Sequence, residues 1–113
     1  MTINTKEVAG VSIIEIADNN VDSRTAPKIQ QEIFPLLESN SKIIIDLSEV
    51  SYMSSAGLRM LLSSYRQVTA KNGKLVVVGL SEEIKDTMTI TGFLDFFKHS
   101  ENAATGLALL IEK

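Results

Sequence analysis

Apolar positions fall along this chain in two rhythms. Short stretches are dense in β-branched and other apolar residues: "GVSIIEIAD" (10–18), "SKIIIDLSEV" (41–50) and "KLVVVGL" (74–80). Their length and β-branched content predict strands, and the continuous apolar runs of the last two predict strands covered on both faces. "TINTKEV" (2–8) predicts a short edge strand beside the first. Between these runs apolar residues recur every three or four positions, the helical spacing. In "NNVDSRTAPKIQQEIFPLLES" (19–39) the residues Ile29, Ile33, Leu36 and Leu37 share a face. Asn19 to Ser23 is turn chemistry, Ser23 or Thr25 is placed to cap, and Pro27 falls in the first turn. Pro35 removes one backbone bond and predicts a kink. "SSAGLRMLLSSYRQVTAKNG" (54–73) carries a second stripe of Leu58, Leu61, Leu62, Tyr65 and Val68, stopped by Asn72-Gly73. "SEEIKDTMTITG" (81–92) is capped by Ser81, has Glu82 and Glu83 at its positive end and is closed by Gly92. "FLDFFKH" (93–99) reads as a short strand or loop. "SENAATGLALLIE" (100–112) reads as a last helix, with Ser100 as its cap.

The order β-β-α-β-α-β-α-β-α is that of an α/β protein with parallel crossovers, right-handed where they occur. Neither an internal repeat nor a linker breaks the chain, so a single domain over residues 1–113 is expected.

Charge and composition narrow the function. Net charge is −3 and the eleven basic residues are scattered, which disfavours a nucleic-acid binder held by electrostatics. Without cysteine there is no disulfide, thiolate nucleophile or Cys-based metal site, which fits a cytoplasmic protein. The start, "MTINTKEVAG", lacks the basic and apolar regions of a signal peptide. No apolar run approaches the roughly 18 residues of a membrane helix. Protein or small-molecule partners are expected, with no nucleic acid and no membrane.

One junction concentrates chemistry. "SYMSSAGLRMLL" (51–62) sets two hydroxyls and two small residues between a strand and a helix. Three readings are open. Ser54 or Ser55 caps the second helix, worth about 1 kcal/mol against alanine. A serine nucleophile would need a G-x-S-x-G elbow and a base. Tyr52 and Met53 stand where that first glycine belongs, and His99 is the chain's one histidine. An anion site is the third reading. The helix start offers free N–H groups and a positive dipole end, and Ala56 and Gly57 permit close approach. A phosphate there arrives on a ligand or is attached to serine. Neither G-x-x-x-x-G-K-[ST] nor G-x-G-x-x-G is present, which weakens a free nucleotide. Phosphate on Ser55 would add roughly −1.5 to −2 charges and make the serine a switch.

The segment "IIIDLSEVSYMSSAGLRMLL" resembles the signature of the STAS domain in bacterial anti-sigma factor antagonists. The family pattern runs from an apolar strand through D-L-S-x-V-x-[FY]-[MI] and [DS]-S-[AST]-G-L into an apolar helix. "NNVDSRTAPKI" is similar to the family's G-E-L-D-x-x-[ST]-A-P-x-[LI] segment. "NGKLVVVGLSEEIKDTMTITGFLDFF" is similar to its G-G-x-L and final I-T-G-L stretches. The likeness covers about residues 8–112. It implies the STAS fold, a small mixed β-sheet of about four or five strands with about four α-helices packed mainly on one face.

The resemblance also implies a role. Ser55 matches the family's phosphorylated serine, with Ser54 as the alternative acceptor. The partner would be an anti-sigma factor that is also a serine kinase of the histidine-kinase-like ATPase type, bound when Ser55 is free and released when it is phosphorylated. A PP2C-type phosphatase would reset the switch. The chain itself would be no enzyme, would hold no cofactor and would be a monomer when free. Asp22 matches the aspartate of G-E-L-D, whose loop lies beside the serine in the family. The partner surface would comprise Asp22, Ser23, Arg24, Ser54, Ser55, Ala56, Gly57, Leu58 and Arg59. Three positions depart from the pattern: Ser54 replaces the usual aspartate, Arg59 replaces a residue that is often small, and Asn19-Asn20 replace Gly-Glu. Two other roles fit the same fold: a constitutive STAS subunit of a stress-signalling or transport complex, and a nucleotide-sensing domain.

Other residues read structurally. Asp46 and Glu49 mark a turn after a strand. Ser63 and Ser64 are solvent-facing or bonded back to their helix. His99 is a surface residue with no second His or Cys to complete a metal site. Phe93, Phe96 and Phe97 are packing residues, and Leu107, Leu109, Leu110 and Ile111 pack the last helix back on the fold.

Overall fold

The structure, a computed structural model, describes residues 3–111. Thr2 and Glu112, which the pattern includes in the first strand and last helix, lie outside the described residues. The strands are β1 (Ile3–Val8), β2 (Val11–Ile16), β3 (Asn20–Val21), β4 (Lys42–Asp46), β5 (Tyr52–Met53), β6 (Lys74–Val78) and β7 (Lys98–Ser100). The helices are α1 (Ala26–Ser39), α2 (Ser55–Ala70), α3 (Glu82–Thr91) and α4 (Ala103–Ile111). A 3-10 turn, Phe93–Phe96, links α3 to β7.

The main sheet has the order β1-β2-β4-β6-β7. β1 is antiparallel to β2, and β2, β4, β6 and β7 are parallel neighbours. It is therefore a mixed sheet, and the α/β STAS architecture expected from the sequence is the one observed. Ala9 and Gly10, at φ +53° and +79°, close the β1–β2 hairpin across the pair Val8↔Val11. Two positive φ values match the twist of the strands they join. Glycine takes that geometry freely, whereas Ala9 is strained by its Cβ. Ala9→Asn should raise stability by about 0.5–1 kcal/mol, read as an increased melting temperature.

Period-2 alternation sorts the strand residues to two covered faces. Ile14, Ile16, Ile43, Ile45, Leu75 and Val77 pack with Ile29, Ile33 and Leu37 of α1, Leu58, Leu61 and Val68 of α2, and Ile84 and Met88 of α3. Val11, Ile13, Ile44, Val76 and Val78 pack on the opposite face beneath Leu110 of α4, with Ala103 and Leu107 beside it. Both faces are covered, which explains why the centres of β4 and β6 are apolar at consecutive positions, Ile43–Ile45 and Leu75–Val78. Of the described helices, α1, α2 and α3 lie on one face and α4 on the other.

Pro35 lies inside α1, which nevertheless continues to Ser39. The missing N–H costs one rung, while Ile29, Ile33 and Leu37 stay fully buried at i, i+4 and i+8. The end of α1 is held from outside: Lys71 Nζ donates to the carbonyls of Leu37 and Glu38, the second at 2.7 Å, and Gln67 Nε2 donates to Phe34 O at 3.3 Å. A cation suits the negative end of a helix. Ser81 caps α3, its Oγ accepting from Ile84 N at 3.2 Å, and Gly92 closes the helix at φ +80°.

Three expectations need correction. Asn102, not Ser100, caps α4. Asn102 Oδ1 accepts from Thr105 N at 3.0 Å while Thr105 Oγ1 accepts from Asn102 N at 3.2 Å, a reciprocal cap that places Ser100 in β7. Among the phenylalanines Phe97 is buried against Tyr65, ring centroids 5.2 Å apart and edge-on, but Phe96 is 56% exposed on the 3-10 turn. In α4, Leu110 packs on the sheet, whereas Leu109 and Ile111 point largely to solvent. No described helix is long and apolar enough to cross a membrane.

Candidate functional site

Two strands too short to be read from periodicity build the site. β3 pairs in parallel with β5 through Asn20↔Tyr52 and Val21↔Met53, forming a two-stranded ladder beside the main sheet. Each leads into a helix, so the starts of α1 and α2 lie side by side. Asn19 anchors the ladder. Its carbonyl accepts from Ser51 N at 2.8 Å and from Tyr52 N at 3.3 Å, and its Oδ1 accepts from Ser51 Oγ at 2.6 Å. At the other end Ser54 N donates to Val21 O at 2.9 Å.

The first helix start is organised by Asp22. Its Oδ1 accepts from Arg24 N at 2.9 Å and Thr25 N at 3.2 Å, while Thr25 Oγ1 accepts from Asp22 N at 2.9 Å and donates to Asn20 O at 3.1 Å. Thr25, at the N-cap position, makes no side-chain cap bond into α1. Its hydroxyl instead ties the turn back to β3. The backbone N–H bonds from Arg24 and then Thr25 hold the Asp22 carboxyl below its usual value, with the Arg24 charge adding to them. A depressed carboxylate supports the fold above its unfolded pKa and loses that support as pH falls through the folded value. In an acid titration by NMR, the Asp22 carboxyl should therefore ionise below the ordinary 3.8, and the Arg24 and Thr25 amide shifts should follow it. A midpoint at or above 3.8 would show the turn is not closed in solution.

The second start is capped by Ser54. Its backbone is extended at φ −81° and ψ 178°, and its Oγ accepts from Ala56 N at 3.2 Å. Of the two serines left open as caps, Ser54 takes the part. Ser55 is the first helical residue and is exposed, and its hydroxyl makes no hydrogen bond with another described residue. No acidic side chain occupies the first turn of α2. Arg59 follows Ser55 by four positions, one turn along the same helix face, and is exposed.

Gly57 explains how the two loops come so close. A Cβ there would lie 2.4 Å from Met53 Cγ, 2.9 Å from Val21 O and 3.0 Å from Val21 Cγ1. Two of these contacts belong to β3, one of them backbone that cannot swing away. Gly57→Ala should cost about 1–3 kcal/mol by overpacking and shift the amide resonances of Val21 and Ser54. Chemical denaturation and an amide correlation spectrum read both.

Of the sequence-predicted site residues, Ser23, Arg24, Ser55 and Arg59 are exposed and Asp22, Ser54 and Ala56 are partly so. Gly57 and Leu58 are buried, Leu58 being only 4% exposed in the main core. Both leave the expected surface set, because the α2 stripe that carries Leu58 turns inward. The pattern missed Asn19 and Ser51, whose bond spans 32 residues, and an open groove of about 420 Å³ between α1 and α2 whose lining includes Pro27, Met60 and Ser63 beside Ala56 and Arg59. Pro27 lies inside one matched segment and Ser63 just after the other, but only the packing of α1 on α2 brings them together. His99 is exposed on β7 and shares no hydrogen bond with Ser54 or Ser55. Ser64, by contrast, is buried and bonded back to Met60 O at 2.9 Å.

The fold has known counterparts. A family model described as the STAS domain matches residues 2–106, and the chain belongs to the STAS domain family. It is 31% identical over 87 residues to the anti-sigma-B factor antagonist of Bacillus subtilis, covering 77% of this chain and 80% of that protein. The crystal structure of an anti-sigma factor antagonist from Mycobacterium paratuberculosis superposes with a TM-score of 0.86 at 25% identity, over 96% of this chain and 92% of that one. The phosphorylated form of the Bacillus cell fate determinant SpoIIAA has the same fold, with a TM-score of 0.71 at 15% identity over 95% and 97% of the two chains.

Proposed function

We propose that this chain is a single-domain anti-sigma factor antagonist over residues 1–113, a binding module switched by phosphate on Ser55. The observation that carries the reading is Ser55 itself: an exposed hydroxyl with no hydrogen bond to another described residue, on the first turn of α2 and beside the Asp22 turn. The curated relative named an anti-sigma-B factor antagonist supports the role. Ser54 is the poorer acceptor, because its oxygen is engaged as the helix cap.

Physical chemistry supports a switch that leaves the fold intact. Phosphate on the first residue of α2 would sit at the positive end of the helix dipole, with Arg59 one turn along. The helix should hold while its surface gains roughly −1.5 to −2 charges. A partner seated on that surface would meet added bulk and reversed charge. The partner of this reading is an anti-sigma factor serine kinase of the histidine-kinase-like ATPase type, acting in the cytoplasm, with a PP2C-type phosphatase restoring the free serine. The chain binds as a monomer and catalyses nothing. Asp22, Ser23, Arg24, Ser54, Ser55, Ala56 and Arg59 form the contact surface.

The test is reconstitution with the kinase-type anti-sigma factor of the same organism. Addition of magnesium and ATP should place one phosphate on Ser55 and dissolve the complex, read by peptide mass spectrometry and gel filtration. A complex that persists with Ser55 fully phosphorylated would sink the switch and leave a constitutive subunit.

A further inference from the structure

We infer that the groove between α1 and α2 receives an acidic, apolar-bearing segment of the partner protein, and that Arg59 is the residue selecting it. The inference rests on the reading of the chain as an anti-sigma factor antagonist and names the chemistry of the partner surface it takes. The groove, about 420 Å³, is lined by the apolar Pro27, Ala56 and Met60 and by the hydroxyls of Ser23 and Ser63. Among the described residues Arg59 is its one charged lining residue. Along Asp22–Glu32 and Ser54–Val68 the exposed cations Arg24, Lys28, Arg59 and Arg66 outnumber the carboxylates Asp22 and Glu32, on a chain whose net charge is −3.

Complementarity then defines the occupant. A guanidinium beside apolar and hydroxyl groups is matched by a carboxylate next to apolar side chains, because the planar fork donates two parallel N–H bonds to a carboxylate. A basic or neutral segment would leave Arg59 desolvated without a partner, which discriminates against it. The position also links selection to the switch. Arg59 lies at i+4 from Ser55, so a phosphate on Ser55 competes with the incoming carboxylate for the same guanidinium.

The experiment measures affinity of the full chain for the purified kinase-type anti-sigma factor by calorimetry at two salt concentrations. Arg59→Glu should weaken binding by about 100-fold or more, and Arg59→Ala by less, since only reversal sets like charges face to face. Arg59→Lys keeps the charge without the fork and should fall between Arg59→Ala and the unmodified chain, closest to the latter at low salt. Lys98→Glu makes the same charge change on β7, outside the groove, and should stay within about threefold of the unmodified chain. Because Arg59 is exposed, unchanged circular dichroism and melting temperature are expected in every variant and separate a lost contact from a lost fold. Binding that is indifferent to Arg59→Glu, or equally weakened by Lys98→Glu, would overturn the inference while the antagonist role stands. Absence of binding by the unmodified chain would overturn the antagonist reading, and this inference with it.

Discussion

Ser55→Asp is expected to weaken binding of the anti-sigma factor kinase by at least about 100-fold, whereas Ser55→Ala should bind as tightly as the unmodified chain and resist release by ATP. The asymmetry follows from the position. Ser55 is exposed, and its hydroxyl supports nothing in the fold, so removing it leaves both the helix cap on Ser54 and the ladder to Val21 in place. Adding a carboxylate there changes the charge of the contact surface without disturbing what lies beneath it. A melting temperature within about a degree or two of the unmodified chain is expected for both variants, since surface changes away from caps and packing cost little. Equal affinities for the two would contradict a switch at this serine.

Leu61→Ala is expected to have the largest effect on stability, a loss of about 2–5 kcal/mol. Leu61 is fully buried on the inner face of α2, in the core shared by the three helices of one layer. Against a typical total of roughly 5–15 kcal/mol, such a loss brings a small domain close to unfolding at physiological temperature. The contrast between Leu61 and Ser55 divides α2 by function: one face holds the helix on the sheet and the other is free to carry a signal. Urea denaturation of the two variants side by side measures it.

Much of this arrangement is legible in the chain because its signals are local. β4 and β6 follow from uninterrupted apolar runs, α3 from Ser81, its two glutamates and Gly92, and the inner face of α2 from its stripe. Each of these depends on residues within one element. What stayed hidden depends on partners far along the chain. β3 and β5 have two residues each and no periodicity to read; they exist because Asn19 and Val21 bond to residues some thirty positions away. Leu58 stood among the expected contact residues because it belongs to the matched S-S-A-G-L motif, yet the same stripe that predicts α2 turns it into the core. Ser100 and Asn102 are both acceptable caps, and only the reciprocal bond with Thr105 decides between them. Phe96 has the composition of a core residue, but the 3-10 turn leaves it facing outward.

The candidate site divides along the same line. The motif around Ser55 is contiguous and could be found by pattern. The groove lined by Pro27, Ala56, Arg59, Met60 and Ser63 is a product of α1 packing on α2. The closeness that Gly57 permits is a property of three segments meeting, seen only once Val21 and Met53 are known to lie against it.

Peptide mass spectrometry of the protein purified from its own cells, with and without phosphatase treatment, tests the central claim most directly. Phosphate on Ser55 that varies with growth condition and disappears on treatment is the expected result. Phosphate confined to Ser54, or a Ser55 that stays unmodified in every condition, would contradict it and return the hydroxyls of this junction to the plain work of starting a helix.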